Sequence, residues 1–101
     1  MDIDNMVATA RARFDHEAAK RVLREKYEAK LTFAYAGGMF RASPEMITFL
    51  SLYGDEEVVI KDLYDNPILV ASGKLLEKMK MHYREQTTAW LNEWYQLTRT
   101  K

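Results

Sequence analysis

Apolar positions recur at helical spacing at both ends of this chain and crowd into short runs in its middle. Ile3, Val7, Ala10, Phe14 and Ala18 fall at steps of three and four, so they line one face of a helix. Leu23, Tyr27 and Leu31 continue a stripe further on. The pattern predicts one long helix over Asp2 to Lys30, with Asp4 or Asn5 as its N-cap and acid near the positive end of the dipole. Glu17, Arg21 and Glu25, and likewise Arg24 and Glu28, alternate in sign at four-residue steps, as on a solvated flank.

The densest β signal lies in Glu56 to Ala71. Val58, Val59 and Ile60 are a β-branched run, Tyr64-Asp65-Asn66-Pro67 is a turn cluster, and Ile68, Leu69 and Val70 form a return strand. Pro67 lacks a backbone donor and suits the start of a strand. The run as a whole reads as the buried organising hairpin, with Val59 at its centre.

Leu31 to Ala42 fits two readings. Gly37-Gly38 can cap a helix that runs on through Tyr35, or it can be the two-residue turn of a second hairpin. Thr32, Phe33, Tyr35 and Phe40 favour the hairpin. Ser43-Pro44-Glu45 then opens a short helix, with Ser43 as cap and Pro44 at the first helical position. Met46, Ile47, Phe49, Leu50 and Leu52 make it apolar nearly all round, which predicts burial, and Gly54 ends it. Ser72 is placed to cap a last helix running to Arg99, about 40 Å long at the usual rise per residue. Its apolar face is Leu75, Leu76, Met79, Tyr83, Trp90, Leu91, Trp94 and Leu97, interrupted by Thr87. The fold expected is α+β: a small antiparallel β unit and a short buried helix, flanked by long N- and C-terminal amphipathic helices. At 101 residues, without linker or repeat, residues 1–101 read as one domain.

Charge refines this picture. The net charge is zero, which argues against a generally basic nucleic-acid binder. The charges are segregated, however: net +2 over residues 1–42, −5 over 43–72 and +3 over 73–101. An acidic middle between two mildly basic helices either neutralises itself in the fold or offers Asp62 and Asp65 to a basic partner. There is no cysteine, so disulfides and thiolate chemistry are excluded. The N-terminus lacks the apolar run of a secretory signal, and no window reaches the roughly 20 apolar residues of a membrane span. A cytoplasmic protein without a membrane partner is expected.

Candidate chemistry is sparse. The histidines, His16 and His82, lie far apart in sequence, and His82 with Glu85 supplies two ligands where zinc needs three or four. Asp65 is explained by turn formation, and Gly37-Gly38 lacks the Lys-Ser/Thr of a phosphate loop. No catalytic residue, metal, cofactor or small-molecule substrate is expected. Lys20, Arg21, Arg24, Lys26 and Lys30 crowd the first helix, and Lys74, Lys78, Lys80 and Arg84 the last, but interspersed glutamates favour a mixed solvated surface over phosphate contact. The aromatic side chains of the last helix are the more suggestive feature. Tyr83, Trp90, Leu91 and Trp94 form a set of interface-type residues.

The runs Glu25-Lys26-Tyr27, Ala36-Gly37-Gly38-Met39-Phe40, Ser43-Pro44-Glu45 and Asp62 to Pro67, with Trp90-Leu91-Asn92-Glu93, resemble a small protein of contractile-tailed, T-even-like phages. The likeness spans most of the chain and contains no mechanistic motif. It implies a viral protein acting in the infected cell or in virion building, and it transfers no site residue. The function expected is therefore non-enzymatic: an interaction or assembly protein that binds a protein partner or its own copies. The alternative is a regulatory accessory that binds nucleic acid or a polymerase through the basic helices.

Overall fold

The computed structural model describes residues 3–99, with positions 4 and 9–14 described by backbone only. The element order is α1 (Ile3–Lys30), β1 (Thr32–Tyr35), β2 (Gly38–Arg41), α2 (Pro44–Ser51), β3 (Glu57–Lys61), β4 (Pro67–Ala71) and α3 (Ser72–Arg99). The strands form two separate two-stranded antiparallel sheets, β1-β2 and β3-β4. This is the α+β architecture expected from the sequence. No helix among the described residues is long and apolar enough to cross a membrane. The molecule is drawn out to 65 × 24 × 20 Å, because α1 and α3 extend as a stalk from a head built of the hairpins, α2 and the start of α3.

Residues 31–42 form the hairpin rather than a helix extension. Its turn is Ala36-Gly37, not Gly37-Gly38, since Tyr35 pairs with Gly38. Both turn residues have positive φ, +52° and +84°, as a primed two-residue turn requires. Gly38 is needed for a different reason. A β-carbon there would stand 2.9 Å from Ile68 Cγ1 and 3.2 Å from Asp62 Cβ, so the missing side chain lets the two hairpins touch.

The second hairpin pairs Val58 with Val70, Val59 with Leu69 and Ile60 with Ile68. Its inner face is Val58, Ile60, Ile68 and Val70, and its outer face presents Val59 and Leu69 to solvent. Val59 is 61% exposed and Ile60 only 6%, so the expected burial of Val59 is corrected by the two-residue period of the strand. An unbroken apolar run carries no alternation that would reveal this parity.

The core is Leu31, Phe33, Phe40, Ala42, Leu50, Ile60, Val70, Leu75 and Met79. Helix α2 begins as the sequence predicts. Ser43 Oγ accepts the Met46 N–H at 3.2 Å, Pro44 opens the helix, and Glu45 lies in the first turn. It is not buried all round. Leu50 is fully enclosed and Met46 and Ile47 pack on the core, but Phe49 and Leu52 face outward, because α3 and the hairpins cover one side only. Ser72 also departs from expectation. Its hydroxyl donates to the Leu50 carbonyl at 2.8 Å and its N–H to Glu56 O at 3.0 Å, fastening the end of α2 to the start of α3. At the other end, α1 already begins at Ile3, so Asn5 lies inside its first turn, and the cap position falls outside the described residues, as does the side chain of Asp4.

The parity of the second hairpin is tested by paired substitutions. Ile60→Asp is expected to lower unfolding free energy by about 3 kcal/mol or more, since it buries an unpaired charge, whereas Val59→Asp changes it by less than about 0.5 kcal/mol. Gly38→Ala should cost about 1–3 kcal/mol through overpacking against Ile68. Urea denaturation of the three variants beside the parent measures all of these.

Candidate functional site

The residues singled out in the sequence separate into three environments. The first is the hairpin head. Asp62 is buried, and its carboxylate is fully engaged: Oδ1 accepts the Tyr64 and Asn66 N–H groups at 2.9 Å each, and Oδ2 accepts Met39 N–H at 3.1 Å. These bonds, with the Asn66 N–H the largest influence, hold its pKa below the ordinary 3.8 against the opposing effect of desolvation. Asp62 therefore ties the turn of one hairpin to a strand of the other, and its side chain faces inward rather than toward a partner. Asp65 is exposed at the turn, with φ of +63°. Glu56 and Glu57 are exposed at the opposite, open end of the same hairpin, where Glu57 pairs with Ala71.

The second environment is the seam between α1 and α3, which run antiparallel. Tyr27 stacks on Trp90 with ring centroids 6.2 Å apart and planes 4° from parallel. The Tyr27 hydroxyl donates a short hydrogen bond to Glu93 Oε1, and Lys26 Nζ lies 2.8 Å from the same oxygen. The ammonium groups of Lys26 and Lys30 stand 5.3 and 5.2 Å from the Tyr27 ring centre. Nearer the head, His82 Nε2 donates to the Lys30 carbonyl, and its ring packs 5.1 Å from Phe33. Tyr83 packs against the core. Trp90, Tyr83 and His82 are thus used inside the chain. Donation from Lys26 first, then from Tyr27, holds the Glu93 pKa below its ordinary 4.5. The same Glu93 bond raises the pKa of Tyr27.

The third environment is the outer flank of α3. Leu91, Trp94, Tyr95 and Thr98 follow one another at i, i+3, i+4 and i+7, so they share a face beside the seam. Leu91 is 47% exposed and Trp94 38%. Tyr95 packs edge-on against Trp94 at 5.7 Å, and Arg99 lies 5.7 Å from the Tyr95 ring centre. The structure brings Leu91 and Trp94 together and leaves them accessible. It sets them on the stalk, away from Asp65 in the head, so the expected residues do not form one site.

Tyr95 belongs to this flank, and its four-residue step from Leu91 signals it in the sequence. Tyr27 and Glu93 were not legible as a pair, because 66 positions separate them. Two further surface depressions accompany the stalk. One, of about 450 Å³, is lined by Ala19, Val22, Leu23, Lys26, Glu93 and Leu97. The other is lined by Glu17, Ala18, Lys20, Arg21 and Arg24, with Lys20 Nζ 3.4 Å from Glu17. Among the described residues no three His, Cys, Asp or Glu side chains gather where they could hold a metal ion. The chemistry this arrangement offers is contact, apolar on α3 and charged on α1. Compared with known proteins, the chain matches no family model, no curated protein and no solved structure.

The Glu93 network predicts a pH dependence. Glu93 has a depressed pKa in the folded state, so its contribution is present above the ordinary carboxylate pKa near 4.5 and fades as pH falls through the lowered value. The melting temperature of the parent should therefore exceed that of Glu93→Gln at pH 7, and the gap should close toward pH 3. Thermal melts of both proteins across that range check this, and the Asp62 contribution cancels between them.

Proposed function

We propose that this protein is a non-enzymatic interaction protein that binds a partner chain through the flank Leu91, Trp94 and Tyr95 of α3. The observation that carries this reading is the division of labour between neighbouring tryptophans. Trp90 is covered by Tyr27, while Trp94, one turn on, stays open beside Leu91 and Tyr95. Trp and Tyr anchor interfaces because each removes a large area from water at little cost in side-chain freedom. Three large side chains exposed on one helix face form the kind of apolar patch that marks an interaction surface. Asp65, exposed at the hairpin turn, is an acidic point on the head suited to a basic part of the same partner. The resemblance to a protein of T-even-like phages supports a role in virion assembly in the cytoplasm of the infected cell.

The alternative is binding of nucleic acid or a polymerase through the basic face of α1, and the depression lined by Lys20, Arg21 and Arg24 favours it. Ion pairing weakens it, since Lys20 is held by Glu17 and Lys26 by Glu93. Phosphate contacts also lose affinity steeply as salt rises, whereas apolar docking does not.

The test compares tagged parent and Leu91→Ala/Trp94→Ala as baits in producing or infected cells, with bound proteins identified by mass spectrometry. The double variant should keep its circular dichroism spectrum and lose the partner, because both side chains are more than a third exposed. Capture of the same proteins by both baits, or loss of fold in the variant, would remove this surface from consideration. Capture that vanishes between 50 and 300 mM salt in parent and variant alike would favour the basic face.

A further inference from the structure

The second hairpin has one open edge. Ser72 N–H donates to Glu56 O and Asp62 N–H to Asn66 O, so within β3 the residues that bond to β4 are Val58 and Ile60. The backbone N–H and C=O groups of Glu57, Val59 and Lys61 point the other way, and among the described residues no bond takes them up. Past Lys61 the edge closes, because Leu63 N–H donates to the Met39 carbonyl. The other strand edges are less able to receive a strand. Pro67 removes a donor from β4, and on β2 the outward groups of Met39 are already bonded to Asp62 and Leu63.

The same three residues also present their side chains together. They alternate with Val58 and Ile60, so Glu57, Val59 and Lys61 share the outer face of the hairpin, and all three are exposed. Val59 stands opposite Leu69 of β4, which is 59% exposed. The row reads acid, apolar, base, with the apolar residue at its centre. The ion pairs among the described residues, Lys20 with Glu17 and Lys26 with Glu93, use neither Glu57 nor Lys61.

We propose that a second copy of this chain adds its own β3 to this edge, antiparallel, with Val59 of each copy at the two-fold axis. Glu57 of one copy then faces Lys61 of the other, as an isologous interface requires, and each facing pair exchanges two backbone hydrogen bonds. This is the one register that pairs all three open positions with each other. Charge selects the same arrangement. Antiparallel pairing sets Glu57 against Lys61 twice, whereas parallel pairing in register sets Glu57 beside Glu57 and Lys61 beside Lys61, which is repulsive. A row that complements itself when turned end for end fits a second copy better than an unrelated strand. The two hairpins become one sheet in the order β4-β3-β3-β4. On its outer face Leu69, Val59, Val59 and Leu69 form a continuous apolar row, and on its inner face Val58 of each copy meets Ile60 of the other. A strand with an exposed apolar edge is a template for such addition. This edge lies in the head, apart from the α3 flank, so the proposal stands or falls independently of the function proposed above.

The experiment measures mass by light scattering at about 100 μM, a concentration at which even weak micromolar dimers assemble. The parent should run at twice its 11.8 kDa chain mass. Glu57→Lys and Lys61→Glu each turn two attractive pairs into two repulsive ones, so each should raise the dimer dissociation constant at least about tenfold. The double swap Glu57→Lys/Lys61→Glu should dimerise like the parent, and so should an equimolar mixture of the two single variants. Neither result is open to a variant that had merely lost its fold. Leu91→Ala/Trp94→Ala should remain dimeric. Amide hydrogen exchange reads the edge directly: the N–H groups of Val59 and Lys61 should be protected in the parent and exchange fast in Glu57→Lys. A parent that is monomeric at this concentration overturns the proposal. So does a dimer that survives both single swaps, a double swap that stays monomeric, or fast exchange of Val59 and Lys61 in a dimeric parent.

Discussion

Neither hairpin of this protein is large enough to stand alone, and the carboxylate of Asp62 fastens one to the other. A two-stranded sheet is marginal in water, because each strand has only one neighbour and one face to bury. Here the Met39 N–H donates across to Asp62 while Leu63 N–H donates back to the Met39 carbonyl at 2.8 Å. Two hairpins that share no ladder are thereby locked in one orientation. Gly38 makes the approach possible and Asp62 fixes it. The inner faces can then close over Leu50, Leu75 and Met79 as a single core. A buried carboxylate that accepts three backbone N–H groups is a fully satisfied polar centre, which specifies geometry in a way apolar contact alone does not.

The stalk depends on the head for its direction. Ser72 starts α3 directly from β4 and bonds to the end of α2, so the first turns of α3 are part of the core. Leu31 and Tyr27 do the same for the end of α1, with Leu31 N–H bonded to Tyr27 O at 3.0 Å and Ala42 N–H to Leu31 O at 2.9 Å. Once both helices leave the head side by side, Tyr27 meets Trp90 and Glu93 without further adjustment. The seam is thus a continuation of the core by amphipathic groups, aromatic rings inside and charged tips at the rim.

This layout leaves an uncovered apolar surface on each long helix, and the two differ in kind. The α3 flank is a compact set of aromatic and aliphatic side chains on a helix already held by its neighbour. On α1 the exposed side chains are smaller, Ile3, Met6, Val7 and Val22, on a helix that extends past its support. The first is a preformed surface, and its binding carries little cost of ordering. The second couples contact to helix formation, since the projecting turns gain stability only when something packs on them.

The local signals in the sequence settled much of the architecture. Ser43-Pro44-Glu45 opens a helix wherever it lies because its capping bonds are made within one turn. The glycine pair marked a turn in the same local way but not its register, which slid by one residue to Ala36-Gly37 because Gly38 is needed in the strand where the hairpins touch. Helical periodicity likewise located both long helices. Only the tertiary structure decided which side of each element faces inward. Val58-Val59-Ile60 is apolar at every position, so its parity depended on where the hairpin met α2 and α3. The stripe expected along α1 divides in the same way: Leu23 and Tyr27 are buried, while Ile3 and Val7 stay exposed. Asp62 read as surface acid, because the three N–H groups that hold it converge only when both hairpins are in place. Tyr27 and Glu93 meet across 66 residues, and Trp90 and Trp94 part company for the same reason. Burial is a relation between elements, and a single chain read in order carries the elements without the relation.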